Sequence, residues 1–392
     1  MNTHPIQYCA PLYRRLSSDS AIDLTVYYCS RQALDESYDR GFGRAIAWNI
    51  PLVDGYAHVF LANLRQSGRP GKGFFQLINP GIVKELYRKR YDAIWIHAYN
   101  YCTSMLAFIV ARLLGIRIFY RTESSLVYDK MVTRPLWLRL MKLAFLRAYL
   151  AQVDRFLAIG SRNREFYRYY GQDMARIIDV PYAVDNEFFQ CNAAAWTPQR
   201  PLLRQALGLP PDAIVFIFAA KLIPEKRPLE MIKAYERLHA PARAALVVVG
   251  DGVLADDCKT YVTQAHLNNI VFTGFVNQNE MPKYYALSDV LVHPADPCKG
   301  DWGLTVNEAM ACGLAIIASE GVGAVDDLVK GRGTGLVVPC GSIQAVATAM
   351  EHLLDPNILS GMQAASKRVI QTWDFDQCVR GVKQALLESA CQ

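Results

Sequence analysis

From residue 213 onward, short apolar β-prone runs alternate with stretches of helical length, and this alternation constrains the fold more than any other feature of the chain. Residues 213–220 (AIVFIFAA), 245–250 (ALVVVG), 270–275, 290–294, 314–319 and 336–339 read as strands. Helical stretches at 228–238, 254–265, 281–287 and from about Thr305 separate them. Continuous apolar runs, as opposed to alternating ones, mark strands buried on both faces. The pattern therefore predicts an α/β class, with a doubly wound parallel sheet covered by helices on both sides.

The first half has the same grammar with weaker periodicity. Strands are expected at 23–28, 93–97, 117–121, 155–159 and 177–180, after a first helix at 10–16. A domain of this type normally opens with a buried strand, whereas this sequence begins in the loop before its first helix, so either the recorded start is late or the first domain lacks an edge of its sheet. At 392 residues the chain exceeds what one ordinary core accommodates, which predicts two domains. The polar, proline-bearing stretch 192–201 is the expected linker. It divides a first domain (1–195) from a second (196–370), with a final helix (371–392) packing back on the first.

Composition narrows the classes. The 52% hydrophobic residues indicate a folded globular chain. No run of about 18 apolar residues appears, so no membrane span is expected. The opening residues have no basic region followed by an apolar run, so no secretory signal is expected. Ten scattered cysteines without a CxxC pair or zinc spacing fit reduced thiols, a cytoplasmic setting and no metal site. A net charge of +6 suits anionic ligands such as nucleotide diphosphates, or an anionic membrane surface, and requires neither. No nucleic-acid partner is expected.

Lys221 and Lys226 bracket the loop after the first strand of the second half (AAKLIPEKRP), where ligands of open α/β sheets bind. Two ammonium groups there suit one diphosphate and stabilise charge as a bond to it breaks; a solvated basic loop is the other reading. In WGLTVNEAMACG, Gly303 permits close backbone approach. The helix beginning near Thr305 would aim free N–H groups and its positive dipole end at a phosphate. Glu308 lies one turn in, where a carboxylate suits a vicinal diol such as ribose or simply complements the helix dipole. Gly250, Phe275 and Val276 sit at strand-end turns that offer backbone groups to a ligand, or serve the turns alone.

Together AAKLIPEKRP, VVVGDG, VFTGFV, MPKYYALSDVLVHPA, WGLTVNEAMACGLAIIAS and GTGLVVP resemble the donor domain of family 4 glycosyltransferases. HPIQYCAPLYRRL, FLAIGSRNREFYRYYG and VPYAVDNEFF resemble its acceptor-side domain. The resemblance implies the GT-B fold, with two Rossmann-like domains facing across a cleft. It also implies a metal-independent hexosyltransferase that retains anomeric configuration and has no cofactor beyond a nucleotide-diphosphate sugar.

Carried over by position, Lys221 and Lys226 bind the donor diphosphate, Glu308 the ribose, and the Leu304–Thr305 amides a phosphate. Where the family places a glutamate eight positions before Glu308, this chain has Gly300, with Asp301 beside it as the substitute carboxylate. Glu123 stands where many relatives carry a histidine and is a sugar-side or acceptor-side candidate. His4 and His97 are assigned to the acceptor side, although a structural role for His97 stays open.

The resemblance further implies a glycan or lipid-linked acceptor, polysaccharide biosynthesis and peripheral contact with the cytoplasmic face of the inner membrane. The 135–150 helix, basic and apolar, is the segment that would rest on a bilayer if it is not buried. Two alternatives remain open: a catalytically impaired nucleotide-sugar-binding protein, and another GT-B enzyme such as an epimerase. Asp374 and Asp376 imitate a metal-binding DxD and residues 68–73 a phosphate loop, but neither lies in the context such motifs need.

Overall fold

The computed structural model describes residues 1–34, 36–39, 41–65, 69–71, 73–297 and 302–388. Its strands are β1 (Thr25–Tyr28), β2 (Ser37–Asp39), β3 (Arg44–Ile46), β4 (Ala57–Phe60), β5 (Ala93–His97), β6 (Arg117–Arg121) and β7 (Arg155–Ala158). They continue with β8 (Ile177–Asp179), β9 (Ile214–Ala219), β10 (Ala244–Val249), β11 (Ile270–Gly274), β12 (Val290–His293), β13 (Ala315–Ser319) and β14 (Gly335–Val338). The chain divides into two compact units. One comprises residues 1–37, 50–182 and 375–392, the other residues 38–49 and 183–374.

In the second unit six parallel strands run in the order β11-β10-β9-β12-β13-β14. The strands expected from the apolar runs are all present, shifted by at most one residue at their ends. Phe216, Phe218, Leu246, Val248, Val292 and Ile317 from the sheet pack with Met231, Ile232, Tyr235, Val346 and Met350 from the covering helices. Chain order reverses between β9 and β12, so the carboxyl ends of these two strands are the topological switch point of the sheet.

The first unit holds a parallel pair, β1-β4, and a four-stranded parallel sheet, β5-β6-β7-β8. Ile94, Ile96, Ile118, Tyr120 and Phe156 pack there against Phe108, Tyr149, Leu150 and Tyr167. Among the described residues no strand lies between β1 and β5. A cavity of about 540 Å³ lined by Thr25–Tyr27, Ala93–Trp95, Val382 and Leu386 occupies that place. At its end Met1 N donates to the Trp95 carbonyl (2.6 Å) and Asn2 N to the Tyr27 carbonyl (2.8 Å).

The unit boundary falls at 182/183 and not at 195/196, and the stretch read as a linker is helical. Asp185 caps the helix Asn186–Trp196, accepting from Phe188 N at 3.0 Å. Its Phe189 is buried, with an edge contact to Tyr285 at 6.2 Å that ties the helix to the second unit. Pro198 and Pro201 fall in the first turns of the next helical segments, where a missing N–H costs nothing. Trp373 stacks on Trp302 at 5.7 Å, which places 371–374 in the second unit. The last helix, Phe375–Leu387, lies in the first unit, where Cys378 Sγ meets the Pro181 carbonyl at 3.1 Å and Lys383 pairs with Asp19.

The helix Leu136–Ala151 is mostly uncovered. Leu146, Tyr149 and Leu150 are buried, but Leu136 (68%), Trp137 (60%), Leu140 (55%) and Met141 (61%) are exposed beside Arg139 and Arg147. A buried domain helix does not describe it. No helix among the described residues is long and apolar enough to cross a membrane.

Candidate functional site

The site in the second unit is built at the carboxyl edge of the sheet. Lys221 follows β9, and Lys226 ends the short 3-10 turn Pro224–Lys226. The next residue, Arg227, takes a left-handed conformation (φ 54°) and starts the helix Pro228–Glu236. Arg227 Nε donates to Asp296 Oδ1 at 2.6 Å, and Asp296 N donates to the Glu225 carbonyl at 2.8 Å. These bonds lace the lysine-bearing loop after β9 to the loop after β12, across the switch point. The Asp296 hydrogen bond, against some cost of burial, raises the Arg227 pKa above its ordinary value and keeps this brace charged.

On the β12 side, Gly303 (φ 81°) is the first residue before the helix Leu304–Ala311. A Cβ there would fall 2.6 Å from Val322 Cγ1, so only glycine lets the chain enter the helix at this angle. Trp302 Nε1 donates to Asn307 Oδ1 at 2.9 Å, and Ala324 N donates to the Trp302 carbonyl at 2.9 Å, fixing the entry. Thr305 Oγ1 stands 3.5 Å from His293 Nδ1, at the end of β12. The first amides of this helix and the two lysines thus lie on one edge of the sheet, on loops following adjacent strands. Helix N-terminal N–H groups and ammonium groups are the chemistry by which proteins in general bind anions.

Glu308 is 2% exposed and its Oε2 accepts from the Tyr285 hydroxyl at 2.7 Å. Burial, with a smaller contribution from the Glu308 charge, pushes the Cys312 thiol well above its ordinary pKa and keeps it protonated. Gly250 (φ 142°) has a further constraint: a Cβ would fall 1.9 Å from the Ala220 carbonyl oxygen, so it seats the loop after β10 against the loop after β9. Phe275 and Val276 follow β11 and are half-buried. Phe275 meets Phe42 edge-on at 5.0 Å. Asp301 and Gly300 lie outside the described residues, as do residues 68 and 72 of the 68–73 stretch.

In the first unit, His97 ends β5 opposite Arg121 of β6. Its ring stacks on Trp95 (5.1 Å), and Nε2 lies 3.5 Å from the Tyr13 hydroxyl. Burial first, then the terminal amino group and Arg121, push its pKa well below the ordinary value, so the imidazole is neutral. Burial pushes His4 down to about 4, and its Nδ1 is 2.9 Å from Thr3 Oγ1. Glu123 accepts from the Tyr182 hydroxyl at 2.7 Å; burial and then that carboxylate raise the tyrosine pKa well above its ordinary value.

Sequence reasoning missed Arg121, buried between the rings of Trp95 (5.3 Å) and Tyr182 (5.4 Å) with Nη2 donating to the Pro181 carbonyl. It also missed the Tyr285 clamp on Glu308. Position at a strand end is the signal that would have found Arg121; nothing in the local sequence marks Tyr285. Asp376 is paired with Arg15 at 2.6 Å in the first unit. Among the described residues no group of His, Cys, Asp and Glu is arranged to hold a metal.

Residues 199–368 match the family described as glycosyl transferases group 1. The chain is 30% identical over 239 residues to a D-inositol 3-phosphate glycosyltransferase of Kineococcus radiotolerans, covering 56% of this chain and 53% of that one. It is 28% identical to a GDP-mannose-dependent alpha-(1-6)-phosphatidylinositol monomannoside mannosyltransferase of Mycolicibacterium smegmatis, covering 61% of this chain and 62% of that one. It is 26% identical to an Escherichia coli UDP-Gal:alpha-D-GlcNAc-diphosphoundecaprenol alpha-1,3-galactosyltransferase, covering 72% and 71%. The match therefore spans between half and two thirds of the length of the first two relatives.

Among solved structures, Anabaena HepE in complex with UDP superposes with a TM-score of 0.71 at 16% identity, covering 99% of each chain. A glycosyltransferase from Rickettsia africae gives 0.72 at 14% identity, covering 96% of this chain and 92% of that one. The chain has the GT-B fold, two Rossmann-like α/β units. Within its second unit, residues 199–368 are similar to the glycosyl transferases group 1 family.

Proposed function

We propose that the protein is a retaining hexosyltransferase that moves a sugar from a nucleoside diphosphate onto a hydroxyl of a glycan or lipid-linked acceptor. The observation that carries this reading is the pair Lys221 and Lys226 set on one sheet edge with the amides of Leu304 and Thr305. The names of the relatives support it, since two of them specify GDP-mannose and UDP-galactose dependence.

The bond from the anomeric carbon to the donor phosphate oxygen breaks, and the electron pair leaves with the nucleoside diphosphate. The lysines and helix amides neutralise that charge. The acceptor oxygen forms its bond to the anomeric carbon on the same face, and its proton passes to the departing phosphate oxygen. Glu308, fixed by Tyr285, takes the ribose diol, and backbone groups at Phe275 and Val276 take the base. Glu123, His4 and His97 are assigned to the acceptor and Asp301 to the transferred sugar. No metal and no further cofactor take part.

Assaying nucleotide release from a panel of UDP- and GDP-sugars with glycan and polyprenyl-diphosphate acceptors tests the reading. Acceptor-dependent release with a matching glycoside product supports it. Nucleotide binding with neither release nor transfer would instead identify a binding protein.

The exposed helix Leu136–Ala151 is assigned to an anionic bilayer at the cytoplasmic face of the inner membrane, where a lipid-linked acceptor lies. No acidic residue occurs between 130 and 153, while Arg134, Arg139 and Arg147 accompany the exposed apolar side chains. That combination fits an interfacial helix on anionic lipid. Replacing Trp137, Leu140 and Met141 together with serine should lower co-sedimentation with phosphatidylglycerol vesicles by about tenfold or more, because each buried apolar side chain supplies on the order of 2 kcal/mol. Equal pelleting of variant and parent, or equal binding to phosphatidylcholine, would remove the assignment.

A further inference from the structure

The hairpin β2–β3 leaves the first unit between β1 and β4, yet residues 38–49 pack into the second unit. They lie across three successive strand-end loops of the donor edge. After β9, both oxygens of Asp39 are 2.9 Å from Lys221 Nζ. The Phe42 ring centroid is 4.7 Å from the same ammonium. After β10, Arg44 reaches Asp251 at 4.0 Å, and the Gly41 carbonyl comes up against Gly252. After β11, Phe275 is covered by Phe42 (5.0 Å), Trp48 (6.2 Å) and the Arg44 guanidinium (5.6 Å). Asn277 Nδ2 donates to the Ala47 carbonyl at 2.8 Å, and Asn49 bonds to Asn277 and Asn279.

Asp39 is held ready for this contact. Its Oδ1 also accepts from Gly41 N (2.7 Å) and Phe42 N (3.1 Å), within the hairpin turn. Burial works against its charged form. The Lys221 hydrogen bond and charge, with the two backbone N–H groups, outweigh it and lower the Asp39 pKa. A fixed carboxylate on the ammonium that faces the phosphate edge occupies the place a phosphate oxygen would take. Two anions cannot share one ammonium without repulsion.

We propose that residues 38, 39 and 41–49 form a displaceable cover on the donor site, with Asp39 holding on Lys221 the position of a donor phosphate oxygen, so that nucleotide binding lifts the hairpin. This rests on the reading of Lys221 as a diphosphate ligand. The pair is about one-third exposed, so the competition is modest.

Isothermal titration of UDP and GDP into the full chain, the Asp39→Asn variant and the Lys221→Ala variant tests it, alongside amide exchange of 38–49 with and without nucleotide. Asp39→Asn is expected to tighten binding by about fivefold, and saturating nucleotide to speed exchange in 38–49. If Lys221→Ala weakens binding but Asp39→Asn does not tighten it, or exchange in 38–49 slows, the hairpin is a clamp or a fixed wall and the cover is overturned. If Lys221→Ala leaves binding unchanged, the phosphate-site reading falls and the cover with it.

Discussion

Replacing Lys226 with alanine is expected to lower donor turnover by about a hundredfold to a thousandfold, with a smaller change in KM. Negative charge grows on the leaving diphosphate as the glycosidic bond opens, and a preorganised donor aimed at developing charge typically contributes that much. Lys226 is chosen over Lys221 because Lys221 already holds Asp39, so its removal also frees the cover and blurs the readout. Lys226 is half-buried at the end of a 3-10 turn, so a melting curve of the variant is measured beside its turnover. Steady-state nucleotide release measures the effect, and arginine at 226 should recover part of it by restoring the charge. Turnover within twofold of the parent would remove Lys226 from the site.

The second large effect is on stability. Gly250→Ala puts a Cβ 1.9 Å from the Ala220 carbonyl oxygen, in a backbone conformation (φ 142°) that side-chain-bearing residues rarely adopt. Backbone strain and overpacking together should cost about 3 kcal/mol or more. For a unit of this size that is roughly a 6–12 °C fall in melting temperature. Gly331→Ala is the matched control: its φ is also positive (71°), but nothing lies within 4 Å of the added Cβ. It should cost about 1–2 kcal/mol. Calorimetry that finds the two variants equal would show that the approach of the two loops does not constrain position 250.

The second unit was legible because its strands are buried on both faces, which writes them as uninterrupted apolar runs such as Ile214–Ala219 and Ala244–Val249. The first unit was less so. β2, β3 and β4 are three or four residues long and partly exposed, so neither apolarity nor alternation marks them. The stretch 192–201 was read as a linker because proline and polar residues resemble one. Its prolines stand at helix starts, which a periodicity search does not see.

The candidate site shows the same division. Lys221, Lys226, Gly303 and Thr305 were singled out by their position after strands, and the structure sets them in the loops and the helix start that follow β9 and β12. Partners that come from far away in the chain left no local trace. Tyr285 reaches Glu308 from a separate helix, and Asp39 reaches Lys221 from 182 residues away. Only packing brings such pairs together, and no spacing rule anticipates them.

The account depends on the loops after β9 and β12 jointly receiving a diphosphate. A crystal structure of the full chain grown with UDP or GDP measures that directly. The predicted result places diphosphate oxygens within about 3 Å of at least one lysine Nζ and of the Leu304 or Thr305 amide. A nucleotide bound elsewhere, with Lys221, Lys226 and those amides all beyond hydrogen-bond reach of its phosphates, would contradict the account.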